Sequence, residues 1–271
     1  MINRRDFLKL GSALLAGGLA SAKSMPVVEA QPAEASTPYE GVNLAGWLVR
    51  PGDARYRAPG EPPVDATDIA TIHTPGYSEV RANVKRRVIM AHNITYKLIT
   101  HPGAFNFIHT CSVSFRLPYL PLPDPALIRN GQTVECGIFI WDGPNTRLDY
   151  GMAFQWLVNP WGAGSSNPPG SLRIWNGTAW VRVGQLPLDT GWHTLRMVVD
   201  FKRKSTLLLI DNKFQLSRFS GTPKDPTWGN TVDARFQAEA VSIDPRPDNI
   251  IKAMHRVQYK DWKWLWETAS C

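Results

Sequence analysis

From about Tyr77 onward, short runs rich in Val, Ile, Thr, Phe, Tyr and Trp alternate with clusters of Pro, Gly, Asn and Asp. Many short strands joined by turns give that pattern, so the sequence predicts an all-β sandwich or barrel. The sharpest unit is 172–181, where Asn176-Gly177 tolerates the positive φ angles of a type I′ turn. A two-residue turn there sets Ile174 against Ala179 and Leu172 against Val181 on an aliphatic face. Arg173 then meets Trp180, and Trp175 meets Thr178, on an aromatic and basic face. A second unit runs from Trp192 to Phe219: 193–201 alternates, 202–205 is a charged turn, and 206–210 is an apolar strand. Asp211-Asn212 turns the chain again toward Phe214 and Leu216. Earlier, 134–141 and 150–157 read as strands flanking the turn-rich stretch that starts Asp142-Gly143-Pro144-Asn145. Near the end, Ile251, Ala253, His255, Val257 and Tyr259 share one face of a strand, and 261–266 closes the pattern with three tryptophans.

The first residues follow a different rule. Asn3-Arg4-Arg5-Asp6-Phe7-Leu8-Lys9 resembles the twin-arginine export motif, with an apolar stretch at 10–20 too short for a membrane anchor. Ala20-Ser21-Ala22 is a small-residue cleavage signal, and Val28-Glu29-Ala30 is a second. The resemblance implies that the export machinery carries the chain folded to the periplasm or beyond. Residues 1–22 are therefore expected as signal peptide and 23–66 as a flexible leader with a Pro/Gly-rich loop. Residues 67–271 are expected as the folded domain. No later run reaches the length of a membrane helix.

Composition narrows the partners. The formal charge of +7 favours anionic partners such as uronic-acid glycans or a cell envelope, and no Lys/Arg-rich helix points to nucleic acid. The three cysteines, Cys111, Cys136 and Cys271, are too few and too irregular for a disulfide framework or a zinc site. Cys111 and Cys136 either pair, if their strands are neighbours, or pack as small apolar thiols.

Three passages carry a family resemblance. Trp192-His193-Thr194-Leu195-Arg196-Met197-Val198-Val199-Asp200 resembles a "W-H-x-hydrophobic…D" strand. Leu207-Leu208-Leu209-Ile210-Asp211-Asn212-Lys213 resembles the "L-x-I-D-G-x" strand and turn that follows it. Val257-Gln258-Tyr259-Lys260-Asp261-Trp262 resembles the terminal strand. Together, over roughly residues 75–266, they resemble the concanavalin A-like superfamily of lectins, laminin-G-like modules and glucanases. The resemblance implies a jelly-roll β-sandwich of two antiparallel sheets, and such a fold by itself fixes no function.

Candidate chemistry follows from residue types. Sugars offer apolar C–H faces and hydroxyl edges, so a glycan site needs flat rings flanked by hydrogen-bonding groups. Arg173, Trp175 and Trp180 have that composition, with Tyr150, Gln155, Trp156 and Trp161 expected along a nearby groove. For a metal, Asp142, Asn145 and Asp149 supply oxygen ligands that suit Ca²⁺ in a loop similar to the legume-lectin metal loop, although the preceding acid and the downstream His of that pattern are absent. The competing reading makes them turn-stabilising side chains. No cofactor motif occurs, and none is expected. For catalysis, the Glu-x-Asp-x-x-Glu strand of the glucanase branch does not occur. Glu135 stands alone on its strand, Glu239 lies on another, and His92 supplies an imidazole. The sequence thus favours an exported protein that binds carbohydrate or envelope glycan without catalysis. A glycoside hydrolase or polysaccharide lyase is the alternative, and a structural or adhesive envelope protein is the third reading.

Overall fold

The computed structural model describes residues 39–51, 69–83, 90–102, 106–120, 131–141, 150–160, 166–175, 179–218, 231–243 and 254–268. The expected signal peptide, the Asp142–Asn145–Asp149 loop, Trp161 and Cys271 lie outside them. The described strands, in chain order, are β1 (Tyr39–Gly41), β2 (Leu48–Pro51), β3 (Ile69–His73), β4 (Ser78–Asn83), β5 (Met90–Pro102), β6 (Phe107–Arg116), β7 (Gly131–Trp141) and β8 (Tyr150–Asn159). They continue as β9 (Ser171–Trp175), β10 (Trp180–Gln185), β11 (His193–Asp200), β12 (Ser205–Ile210), β13 (Lys213–Arg218), β14 (Thr231–Ile243) and β15 (Met254–Thr268).

Two antiparallel sheets form a jelly-roll sandwich. One runs β13-β12-β11-β6-β15-β4-β3, with β1 also beside β15; the other runs β10-β9-β8-β7-β14-β5-β2. Two-residue alternation decides which side chains fill the space between them. On β7, Val134, Cys136 and Ile138 are buried inward, on β8 Met152, Phe154 and Trp156, and on β14 Phe236, Ala238 and Ala240. On the facing sheet, β6 contributes Cys111, Val113 and Phe115, and β11 contributes Leu195, Met197 and Val199. Cys111 and Cys136 belong to opposite sheets and are free buried thiols. Burial pushes both thiols up, away from the reactive thiolate.

β15 changes phase part-way. His255, Val257 and Tyr259 are buried at odd positions, then Trp262, Trp264 and Trp266 at even ones. Between Lys260 and Lys263 the register against β6 slips, and Asp261 takes φ 50°. One extra residue in a β-bulge swaps the inward set, so both apolar stretches reach one core.

Two segments differ from their expected structure. Residues 39–51, assigned to leader and loop, form β1 and β2, and Leu44 and Trp47 between them join the core. Trp47 packs edge-on against Phe236 and Trp262, a contact invisible to local composition. The second segment is 172–181. Trp175 pairs with Trp180 rather than Thr178, Ile174 with Val181 rather than Ala179, and Arg173 with Arg182 rather than Trp180, while residues 176–178 lie outside the described residues. The two-residue I′-type turn occurs instead at Asp211-Asn212, both at positive φ, between Ile210 and Lys213.

The motif pair at 192–213 has a structural cause. His193 Nδ1 lies 2.7 Å from Asp211 Oδ2 and its Nε2 lies 3.0 Å from Asp189 Oδ1. Asp211 Oδ1 also accepts the Thr194 amide at 2.8 Å. The imidazole thus ties the β12–β13 turn to the start of β11, against Phe115 and Trp156.

Candidate functional site on the outer face of the second sheet

Strand register assembles the site. Glu239 on β14 is the direct partner of Glu135 on β7, Glu135 of Gln155 on β8, Gln155 of Arg173 on β9, and Arg173 of Arg182 on β10. The five form one row across the strands, on the face turned away from the core. Neighbouring strands lie ~4.8 Å apart, so the row spans about 19 Å. Its centre is sheltered, with Glu135 8%, Glu239 5% and Gln155 6% exposed, whereas Arg173 is half-buried and Arg182 exposed.

Hydrogen bonds fix the acids. Glu135 Oε1 accepts from Thr133 Oγ1 at 2.8 Å and from Gln155 Nε2 at 2.5 Å. Glu239 Oε1 accepts from Gln237 Nε2 at 2.8 Å. Burial lowers the Arg173 pKa, and the charge of Glu135 opposes that shift. Arg173 therefore stays cationic and favours an ionised Glu135. Two polar atoms within the row have no partner: Gln155 Oε1 and Arg173 Nε.

A second row runs beside the first. Gln237, Gly137 and Ala153 are successive partners on β14, β7 and β8, and Trp175 and Trp180 are partners on β9 and β10. The Trp175 and Trp180 rings stand 5.8 Å apart at 62°, and the Arg173 guanidinium lies 5.4 Å from the Trp180 ring centre. Phe139 and Ala153 are buried against these two tryptophans. Gly137 makes that packing available, because a Cβ there would sit 2.6 Å from the Phe139 ring and 2.7 Å from the Met152 carbonyl.

From the core side, Tyr259 of β15 reaches across the sandwich. Its hydroxyl donates to the Glu239 carbonyl at 2.6 Å, with the Glu135 carbonyl at 3.4 Å. The backbone of both acidic positions is thereby anchored to the opposite sheet.

Of the sequence candidates, this face joins Arg173, Trp175, Trp180, Gln155, Glu135 and Glu239. Trp156 is corrected out. It is 0% exposed in the core, and its indole donates to the Leu186 carbonyl at 3.0 Å. Adjacent residues on a strand point to opposite faces, so Gln155 and Trp156 cannot line one groove. His92 and Tyr150 are placed by backbone register alone, opposite Val241 and Ile140. Asp142, Asn145 and Asp149 lie outside the described residues. Among the described residues no three His, Cys, Asp or Glu side chains gather as metal ligands.

Sequence reasoning missed Thr133, Gln237, Arg182, Phe139 and Gly137. A signal existed for the first two: Thr133-x-Glu135 and Gln237-x-Glu239 place polar residues on alternate positions of their strands.

No protein-family model and no curated protein sequence matches the chain. Among solved structures, it is similar to a glycoside hydrolase family 16 endo-glucanase from Bacteroides ovatus, with 9% identity and TM-score 0.47 over 81% of this chain and 94% of that one. It is also similar to winged bean acidic lectin complexed with methyl-α-D-galactose, with 10% identity and TM-score 0.43 over 82% and 100%. A sialidase is similar over 74% of this chain with 11% identity and TM-score 0.40, and there the chain spans 17% of the larger protein. These solved structures thus include both a lectin and glycosidases.

Proposed function

We propose that the protein is a glycan-cleaving enzyme whose site is the outer face of the second sheet, with Glu135 and Glu239 as the reacting pair. The carrying observation is that the two acids are direct cross-strand partners. Like charges so placed cost stability, and a structural surface has no use for them. Directly opposed residues have Cβ atoms ~4.5–5.5 Å apart, a spacing from which the two side chains can reach the roughly 5–5.5 Å carboxyl separation of a retaining glycosidase.

The roles follow from surroundings. Glu135, with two hydrogen-bond donors and the Arg173 charge beside it, is the ionised nucleophile. Glu239 is the acid. Its proton passes to the glycosidic oxygen as the C–O bond breaks and a bond forms between Glu135 and the anomeric carbon. Water then gives a proton to Glu239 and its hydroxyl to that carbon, freeing Glu135. Trp175 and Trp180 stack a neighbouring sugar. The twin-arginine leader read in the sequence supports action outside the cytoplasm.

The test is release of reducing ends from a polysaccharide panel. Glu135→Gln and Glu239→Gln should each lower turnover at least a hundredfold or so while leaving the fold intact. A second reading, binding without cleavage, is favoured by the half-buried Trp175–Trp180 pair with Arg173 over it. Under that reading no panel member is cleaved, yet Trp180→Ala still weakens binding, by about 1–2 kcal/mol.

A further inference from the structure

The row holds a second like-charge pair. Arg173 and Arg182 are direct partners on β9 and β10, and the only acceptor seen for Arg182 among the described residues is Gln185 Oε1, at 3.3 Å. A sheet face built for stability would set each arginine opposite a glutamate. Here the sequence does the reverse, collecting both carboxylates at one end and both guanidiniums at the other, with Gln155 between. The Arg173 Nε has no partner, and neither has Oε1 of the 94% buried Gln155.

We infer that this site takes an acidic polysaccharide, a chain of uronate sugars lying across the strands, with a sugar carboxylate held by Arg173 and Arg182 while the bond to be cut lies over Glu135 and Glu239. The inference rests on the proposed function and names its substrate class. A strand spacing of ~4.8 Å is close to the length of one pyranose unit, so successive sugars meet successive strands. Guanidinium groups bind planar carboxylates in a forked geometry that neutral hydroxyls do not match. The unpartnered Gln155 oxygen is an acceptor for a sugar hydroxyl between the two ends, where a second carboxylate would be repelled by Glu135. The formal charge, +7 for the chain and 7 − 2 = +5 without residues 1–22 (Arg4, Arg5 and Lys9 against Asp6), draws a polyanion toward the molecule as a whole.

Retention of the full-length protein would be measured by affinity electrophoresis on polygalacturonate, alginate and hyaluronate, each beside its carboxyl-reduced form, in the Glu239→Gln background that halts turnover. Binding to at least one acidic polymer about tenfold or more tighter than to its reduced form is expected. Arg182→Ala should abolish that preference, and Lys260→Ala on the other sheet should leave it in place. Equal retention of acidic and reduced forms overturns the inference while the carbohydrate reading stands. So does a preference that survives Arg182→Ala or falls equally with Lys260→Ala, since general charge attraction then explains it. Retention by no polymer, acidic or neutral, overturns the carbohydrate reading together with it.

Discussion

Glu239 illustrates a residue kept against its own energetics. Its carboxylate stands opposite that of Glu135, so cross-strand repulsion works against the folded state, while Gln237 Nε2 donates to it at 2.8 Å. Glu239→Gln should therefore raise stability by about 1 kcal/mol in urea denaturation while abolishing cleavage, the usual exchange at a working site. A loss of stability would mean that the pair is structural. His255 is a different case. Burial lowers its pKa to about 4, opposed in part by its hydrogen bond to the Thr133 carbonyl. Nε2 donates to that carbonyl at 2.8 Å, and Nδ1 faces the Tyr119 hydroxyl at 2.7 Å. The folded state thus resists a proton that the unfolded chain accepts at about pH 6.5. Stability contributed by the neutral ring is complete above pH 6.5 and falls as pH drops toward 4, by roughly 3 kcal/mol in all. Denaturation at pH 7 and pH 4.5 should show the loss, and His255→Gln should flatten it. Trp156 and Trp180 give a third contrast: Trp156→Ala should cost about 3–5 kcal/mol, whereas Trp180→Ala should cost far less stability and act on binding.

At the scale of elements, β15 depends on one residue. The bulge at Asp261 lets His255, Val257 and Tyr259 share a core with Trp262, Trp264 and Trp266. Deleting Asp261 would turn one of the two sets outward and should prevent folding. Asp261→Gly keeps the count and suits φ 50°, so its melting temperature should match or exceed that of the parent. β7 depends similarly on Gly137. Gly137→Ala would push the Phe139 ring off Ala153 and disturb the tryptophan pair, so it should weaken glycan binding more than Val181→Ala, which alters an exposed edge residue.

At the scale of the molecule, Tyr259 links the sandwich to its site. Its hydroxyl crosses from the first sheet to the Glu239 carbonyl of the second. Tyr259→Phe leaves that buried carbonyl without this donor and should cost about 1–3 kcal/mol. The same loosening should lower kcat, because the two acids sit on the backbone that the hydroxyl anchors; an unchanged kcat would limit Tyr259 to a structural role.

Much of this was legible beforehand, for a local reason. Alternation of period two is written in neighbouring residues, so the strands β7, β8, β11 and β12 could be read directly, and with them the shared face of Arg173, Trp175 and Trp180, although on β8 the inward Trp156 was set beside the outward Gln155. The pairing of β14 with β7 could not. Glu135 and Glu239 stand on strands that meet only because the chain crosses the sandwich between them, and no spacing within either strand encodes the other. The same holds for Trp47 under Phe236 and for the hairpin register at 172–185, where Trp175 meets Trp180 and the register shifts between Arg182 and Gly184. Sequence determined which side chains point outward, since that is set by backbone geometry from one residue to the next. Tertiary structure decided which outward side chains meet, since strand order is fixed by the burial of the whole apolar surface at once.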